Sequence, residues 1–261
     1  MHAATRNTVD PALVDDALRF PDHAQALGLL RTHSRLDAEA VQASSRTPSP
    51  GLYQALDAGL DSPERVQIAA APSPRTPLEQ LQRGRLSERF YADRPVAADV
   101  VAALVAAAGG FDEAAWPDRE AGAGLQFLVA ARAVTGLRPA IHLADPRSGR
   151  FTAVGELPGG AAAADLVLQL EFAQAPAILM VCGPLAASLD RHGEHGHRLL
   201  LSRAGAAAYA GWLTALDHGL AGSIFAGFLA AALRPLVPVD GYHTSQLLAL
   251  AVGHPLDSTG D

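Results

Sequence analysis

The sequence predicts an α+β chain, a sheet with helices packed around it, and three observations carry that prediction. Apolar segments of strand length, at residues 125–134 and 177–182, are separated by helical patterns at residues 97–108 and 198–218. These segments mix without the regular strand–helix alternation that builds a parallel sheet. At 261 residues, 49% apolar and 18% charged, the chain also carries enough apolar side chain for one substantial core.

The elements follow in order. Residues 1–77 read as an arm, with helices expected at 11–20 and 21–32. A polar stretch at 42–50 and the run Ala71-Pro-Ser-Pro-Arg-Thr-Pro77 come next, and their prolines hold the backbone extended. Such an arm is either a flexible leader or a cover for a partner subunit. The principal domain spans 78–256, with 257–261 as a tail. In it, residues 78–84 are helical, and a helix at 97–108 starts after Pro95 and is expected to stop at Gly109-Gly110. Residues 125–134 read as a buried strand. Residues 140–143 and 151–154 read as a pair across the turn Asp145-Pro-Arg-Ser-Gly149. Helical spacing at 161–172, a central strand at 177–182, the longest helix at 198–218 and strands at 223–225 and 247–252 complete the set.

Composition removes several function classes. A net charge of −7 leaves no basic field to attract a nucleic acid. Every basic side chain is Arg and none is Lys, as codon bias would produce, so Schiff-base chemistry and the phosphate-binding lysine loop are excluded. Any phosphate must be held by guanidinium groups, hydroxyls and backbone N–H groups. Cys182, the only cysteine, follows an apolar run and reads as a buried, inert thiol. The N-terminus lacks the apolar core of a signal peptide, and no uncharged apolar stretch is long enough to span a bilayer. A soluble, cytoplasmic protein without a membrane partner is expected.

Candidate chemistry lies in two places. Arg85, Ser87 and Arg89 alternate, so on an extended segment all three point to one side and converge on an anion, unless they form a solvated turn. His192, Glu194, His195 and His197 crowd one loop that either is solvated or supplies a proton donor or acceptor at the rim of a site. Its spacing has no helical i, i+4 histidine pair, so no metal is assigned. Gly122-Ala-Gly124 precedes a strand, where backbone can approach a ligand closely. Ala204-Gly-Ala-Ala-Ala-Tyr-Ala-Gly211 suits either a buried core helix or a helix packed on its twin in a homodimer. Nucleophile-elbow and dinucleotide fingerprints find no support.

The order of these motifs resembles the nitroreductase-like FMN superfamily, and most closely its SagB-type azoline dehydrogenases. The similarity covers roughly residues 78–255. Arg85-Leu-Ser87-Glu-Arg89-Phe90 resembles the family's opening Arg-x-Ser-x-Arg-Phe, whose members hold the FMN phosphate and ribityl chain. Gly136-Leu-Arg-Pro-Ala-Ile-His-Leu-Ala-Asp-Pro146, Gly205, His218-Gly-Leu-Ala-Gly222 and Leu248-Ala-Leu-Ala-Val-Gly-His-Pro255 are similar to its later motifs. The resemblance implies a central mixed sheet flanked by helices, and a homodimer with a long interface helix that buries FMN between subunits.

Carried over residue by residue, it implies cofactor contacts from Arg85, Ser87, Arg89, Gly122, Gly222, Ser223 and Gly227. The family's catalytic Lys-Tyr pair falls on Arg191-His192, which makes His192 the acid/base and Arg191 an orienting group. The family's Pro-Ser-Ala-Gly loop is Arg119-Glu-Ala-Gly122 here, its Gln-Asn helix pair is Tyr209-Ala210, and its C-terminal basic residue is missing. The activity implied is azoline-to-azole dehydrogenation in ribosomal peptide maturation. Expected partners are the modified precursor peptide and a cyclodehydratase or other biosynthetic subunit. The alternatives are an NAD(P)H-dependent flavin reductase of dehydroamino acids, nitro groups or enones, and a non-catalytic partner subunit of a peptide-modifying complex.

Overall fold

The computed structural model describes residues 64–116, 124–193 and 195–256, together with 28, 49, 51–53, 55 and 56. The helices expected at 11–20 and 21–32, and the sites Gly122 and Glu194, lie outside the described residues.

Among the described residues, seven strands form one sheet in the order β1-β6-β5-β3-β7-β9-β8. They are β1 (Arg65–Gln67), β3 (Gln126–Ala131), β5 (Ala140–Ala144), β6 (Arg150–Gly155), β7 (Ala177–Gly183), β8 (Ala221–Phe225) and β9 (Ser245–Gly253). Every pairing within this sheet is antiparallel. The parallel pairing that a mixed sheet requires is confined to β2 (Val96–Ala97) with β4 (Val134–Thr135), and to a single bridge between Ser87 and Gly222. The helices are α1 (Leu78–Gly84), α2 (Ala98–Ala115), α3 (Leu185–His192), α4 (His195–Asp217) and the short α5 (Ala230–Leu233).

Alternation along the central strands builds a core on each face. Phe127, Val129, Leu179, Val181, Leu250 and Val252 face α2 and α4, while Leu128, Ala130, Ile178, Met180, Cys182 and Ala251 face the opposite layer. Strands buried on both faces read as unbroken apolar runs, which is why β3 was legible as a buried strand and β7 as a central one. Burial pushes the Cys182 thiol up to about 12, so it is an inert core side chain. Residues ahead of the domain also join this framework. Leu56 is fully buried in the second core, and its N–H donates to Gln126 Oε1 at 3.1 Å.

Three expectations need correction. The helix begun at residue 97 does not stop at Gly109-Gly110; α2 continues to Ala115. Gly109 is there for closeness, because a Cβ on it would collide with the Pro146 ring. The strand expected over 125–134 ends at Ala131, where the N–H groups of Arg132 and Ala133 both turn to the Pro176 carbonyl at 2.9 and 3.0 Å. Residues 161–172 form not one helix but two 3₁₀ turns, Gly160–Leu166 and Leu170–Gln174. The break between them lets Val167 bridge to Phe228 and the Leu168 N–H donate to the Gly227 carbonyl at 2.6 Å.

One buried ion pair ties the two large helices together. Arg203 of α4 donates from Nε and Nη2 to the two carboxylate oxygens of Asp112 of α2 at 2.9 and 2.8 Å, with both residues 3% exposed. Removing one partner leaves a buried charge alone, so Asp112→Ala should cost about 3–5 kcal/mol in denaturant unfolding, and a loss under 1 kcal/mol would contradict this geometry. The glycine pair gives an opposed expectation. Gly110 has open space around a Cβ, so Gly110→Ala should stabilise by roughly 0.5–1 kcal/mol through helix propensity alone. Gly109→Ala should destabilise the protein despite the same propensity gain. Equal shifts in melting temperature for the two variants would show that Pro146 does not press on the helix.

Candidate functional site

The alternating segment Arg85–Arg89 leaves α1 in extended backbone, since Arg85 caps the helix at φ −73° and ψ 114°. It then seats on the outer edge of β8, the last strand of the sheet. Ser87 bridges to Gly222 in parallel, and the Glu88 N–H donates to the Gly222 carbonyl at 3.1 Å. Tyr91 fastens the far end. Its hydroxyl donates toward the carbonyls of Glu88 at 2.9 Å and Ala251 at 3.3 Å, and its ring occupies the space a Gly253 side chain would need. Burial, with Glu88 beside it, pushes the Tyr91 phenol above its ordinary range, so the ring stays a neutral structural pin.

The Arg85 guanidinium lies over the Trp212 indole, 4.7 Å from the ring centroid. Trp212 comes from the C-terminal half of α4 and is 4% exposed. It can stand that close to β8 only because Gly222 has no side chain. A Cβ on Gly222 would sit 2.9 Å from the Ala251 carbonyl oxygen and 3.2 Å from Trp212 Nε1. Among the described residues Arg85 meets no carboxylate, and the buried Trp212 Nε1–H has no acceptor. Ser87 is exposed beside them and Ser223 is 5% exposed on the strand behind. The Arg85 guanidinium and the exposed Ser87 hydroxyl are groups of the chemistry that an anion accepts from, while the indole N–H is shut in behind Gly222.

Arg89 reaches the neighbouring layer instead. Its Nη1 is 3.7 Å from Glu171 Oε1 in the second 3₁₀ turn, an ion pair that remains open to solvent, with the arginine side chain 56% exposed. The same turn brings Phe172 into a stack on Phe225, ring centroids 4.2 Å apart. Gly227, just past β8, abuts Leu168 and Gln169 so tightly that a Cβ would come within 2.5 Å of Gln169 Oε1, itself buried without a donor. Gly222 and Gly227 are therefore two points where neighbouring segments press closely on β8 and its exit.

Arg191 and His192 are elsewhere. They close α3, which turns back through Gly193 at φ 59° into α4. α3 and α4 lie against each other there: the Ser188 hydroxyl donates to the Gly196 carbonyl at 2.9 Å, and Gly196 has no room for a side chain against the Ser188 backbone. Gly196 and Trp212 are sixteen residues apart on one helix, about 24 Å along its axis. The histidines expected on one loop are split between two helices, since His192 ends α3 while His195 and His197 lie in the first turn of α4; in a single chain they and the arginine segment lie toward opposite ends of α4. Among the described residues no group of His, Cys, Asp and Glu is arranged to hold a metal ion.

The sequence reading missed Trp212, Tyr91 and Glu171, each of which touches or pins a candidate residue. A bulky aromatic closing a run of alanine and glycine was the available signal for Trp212.

An antiparallel sheet with α2 and α4 on one face thus frames the Arg85 segment at the edge of β8. The Nitroreductase family profile matches residues 83–254, so the chain belongs to the nitroreductase family. The family match supports FMN as the cofactor, and a guanidinium and a hydroxyl such as those of Arg85 and Ser87 are of the chemistry that a phosphate accepts from. The fold is similar to that of a candidate nitroreductase from Anabaena variabilis, with TM-score 0.66 and 16% identity over 89% of this chain. The chain spans 47% of the length of that protein. A candidate nitroreductase from Ralstonia eutropha gives TM-score 0.55 and 16% identity, covering 76% of this chain and 93% of that one. The E. coli microcin synthetase McbBCD complex with truncated pro-MccB17 contains a chain with TM-score 0.56 and 13% identity, covering 88% of this chain and 98% of that one. No curated protein matches the chain.

The Gly222 contact is testable without any ligand. Gly222→Ala should destabilise by roughly 1–3 kcal/mol and shift the tryptophan emission, because the methyl must displace the indole or the Ala251 carbonyl. Unchanged stability and an unchanged emission spectrum would rule out the packing described.

Proposed function

We propose that this nitroreductase-family oxidoreductase binds FMN through the Arg85 segment and oxidises azoline rings to azoles in a ribosomally made peptide. The observation that carries the reading is the seating of the Arg85–Ser87 segment against Gly222 and Trp212, with the guanidinium over the indole and no carboxylate on it among the described residues. The likeness to a chain of the microcin synthetase complex, over nearly the whole of both chains, supports a peptide substrate and synthetase subunits as partners.

Arg85 and Ser87 take phosphate oxygens in this reading, and Arg89 joins them by leaving its long contact with Glu171. Gly222, Ser223 and Gly227 put backbone beside the ring system, and Gly122, outside the described residues, is proposed as a further cofactor contact. FMN, when bound, supplies the hydride acceptor. His192 takes the ring proton that leaves as the azoline aromatises, and Arg191 orients a carbonyl or anionic group of the peptide. The roughly 24 Å of helix between Gly196 and Trp212 argues that one chain does not offer both sets to one substrate. Two copies, each giving one set to a shared site, resolve this, and the oxidoreductase is proposed to act as a homodimer.

The purified protein should be yellow or bind added FMN. Arg85→Ala should weaken FMN by about tenfold or more, the worth of a hydrogen bond to a charged group, while leaving riboflavin affinity unchanged. Absence of flavin absorbance together with no FMN titration response would end the cofactor reading. Turnover of a synthetic thiazoline peptide should be lost in Arg85→Ala and in His192→Ala, and partly restored when the two variants are mixed. Rapid bleaching of bound flavin by NADPH with no thiazoline turnover would favour the reductase instead.

A further inference from the structure

We propose that Asp217 is a positioning residue which, by latching the proline-rich strap Ser73–Thr76, holds the Arg85 segment in its phosphate-binding place. The inference rests on the FMN reading of that segment and extends it to a residue remote from the anion site. Asp217 is the last residue of α4, where a carboxylate opposes the helix dipole and gains nothing from the helix itself. Its oxygens are instead fully engaged by the strap. Oδ2 accepts from the Ser73 hydroxyl at 2.6 Å and the Arg75 N–H at 3.2 Å, and Oδ1 accepts from the Thr76 N–H at 2.8 Å.

The strap pays a conformational cost for this grip. Arg75 has φ +65°, and it is the one non-glycine residue at positive φ among those described. The contacts to Asp217 are what hold it there: both the Arg75 N–H and the Ser73 hydroxyl, which also accepts from that N–H at 3.1 Å, converge on the same carboxylate. Desolvation pushes the Asp217 carboxyl up, but the donors from Ser73, Thr76 and Arg75 outweigh it and hold the group down at about 2. The latch is therefore ionised and closed at neutral pH.

From the strap the chain runs directly into α1, which lies against α4, and then into Arg85. Arg85 in turn rests on Trp212, five residues before Asp217 on the same helix. The end of α4 is thus a mount with two fixings. Asp217 takes the entry to the strap–α1 hairpin and Trp212 takes its exit. With the first fixing released, the hairpin swings on the second, and the competent position of Arg85 is occupied only part of the time.

The test uses the full chain carrying Asp217→Asn, whose amide offers a donor where the backbone needs an acceptor, and Ser73→Ala, which leaves Asp217 intact. Binding of FMN and of riboflavin is measured by flavin fluorescence, and cleavage after Arg75 by limited trypsin digestion. Asp217→Asn should weaken FMN about three- to tenfold, as a competent fraction of roughly a third to a tenth implies, and Ser73→Ala should weaken it less. Riboflavin, which lacks the phosphate, should bind all forms alike, so the FMN-to-riboflavin ratio falls; general damage to the fold would lower both. Cleavage after Arg75 should quicken in both variants. Faster cleavage with an unchanged ratio would overturn the positioning role, and unchanged cleavage would overturn the latch. A wild-type chain that binds no FMN would fail the cofactor reading first and take this inference with it.

Discussion

The closeness of α4 to the sheet and to α2 is the constraint from which the remaining architecture follows. Ala204, Ala207, Ala208, Gly211 and Ala215 supply most of the buried face of the helix with groups no larger than a methyl, between the larger Leu200, Arg203 and Trp212. At Gly211 a Cβ would already be 3.4 Å from the Leu104 carbonyl oxygen and 3.5 Å from Leu179 and Leu250. The helix therefore lies almost in contact with backbone on one side and core leucines on the other. Such a face buries little area per residue and specifies its seat by shape rather than by bulk. The Arg203–Asp112 pair adds direction, because a bidentate contact between buried partners fixes rotation as well as distance.

Because α4 is fixed, its two ends act as separate platforms. The first end carries the turn from α3, with Arg191 and His192, and the second carries Trp212 and Asp217. The second platform receives the chain twice, at the strap and at Arg85, and passes it to the edge of β8. Edge strands invite unwanted pairing, and here the Ser87–Glu88 backbone covers part of that edge. The same covering places the Arg85–Ser87 segment beside the strand, so protection of the edge and placement of the candidate site are one event.

Much of this was readable in order along the chain. The strands at 140–143, 151–154, 177–182, 223–225 and 247–252 and the long helix follow from apolar runs and small-residue spacing, and the structure extends each by a few residues at most. The errors share a cause. Gly109-Gly110 reads as a stop because glycine is a poor helix former, yet Pro146, distant in sequence, requires the missing side chain. The helix expected at 161–172 is broken because Val167 and Leu168 have partners at Phe228 and Gly227 that no local pattern announces.

The candidate site divides in the same way. Side-chain chemistry determined which residues can hold an anion, because the absence of lysine leaves arginine, hydroxyl and backbone donors, and alternation sets Arg85 and Ser87 on one side of an extended segment. Tertiary structure decided the rest. It supplied Trp212 beneath Arg85, gave Arg89 a carboxylate neighbour, and put His192 at the other end of a long helix. Sequence spacing fixes what adjacent residues can do together, since backbone geometry is local. Distances between segments are set by packing, and packing depends on every side chain in the core at once.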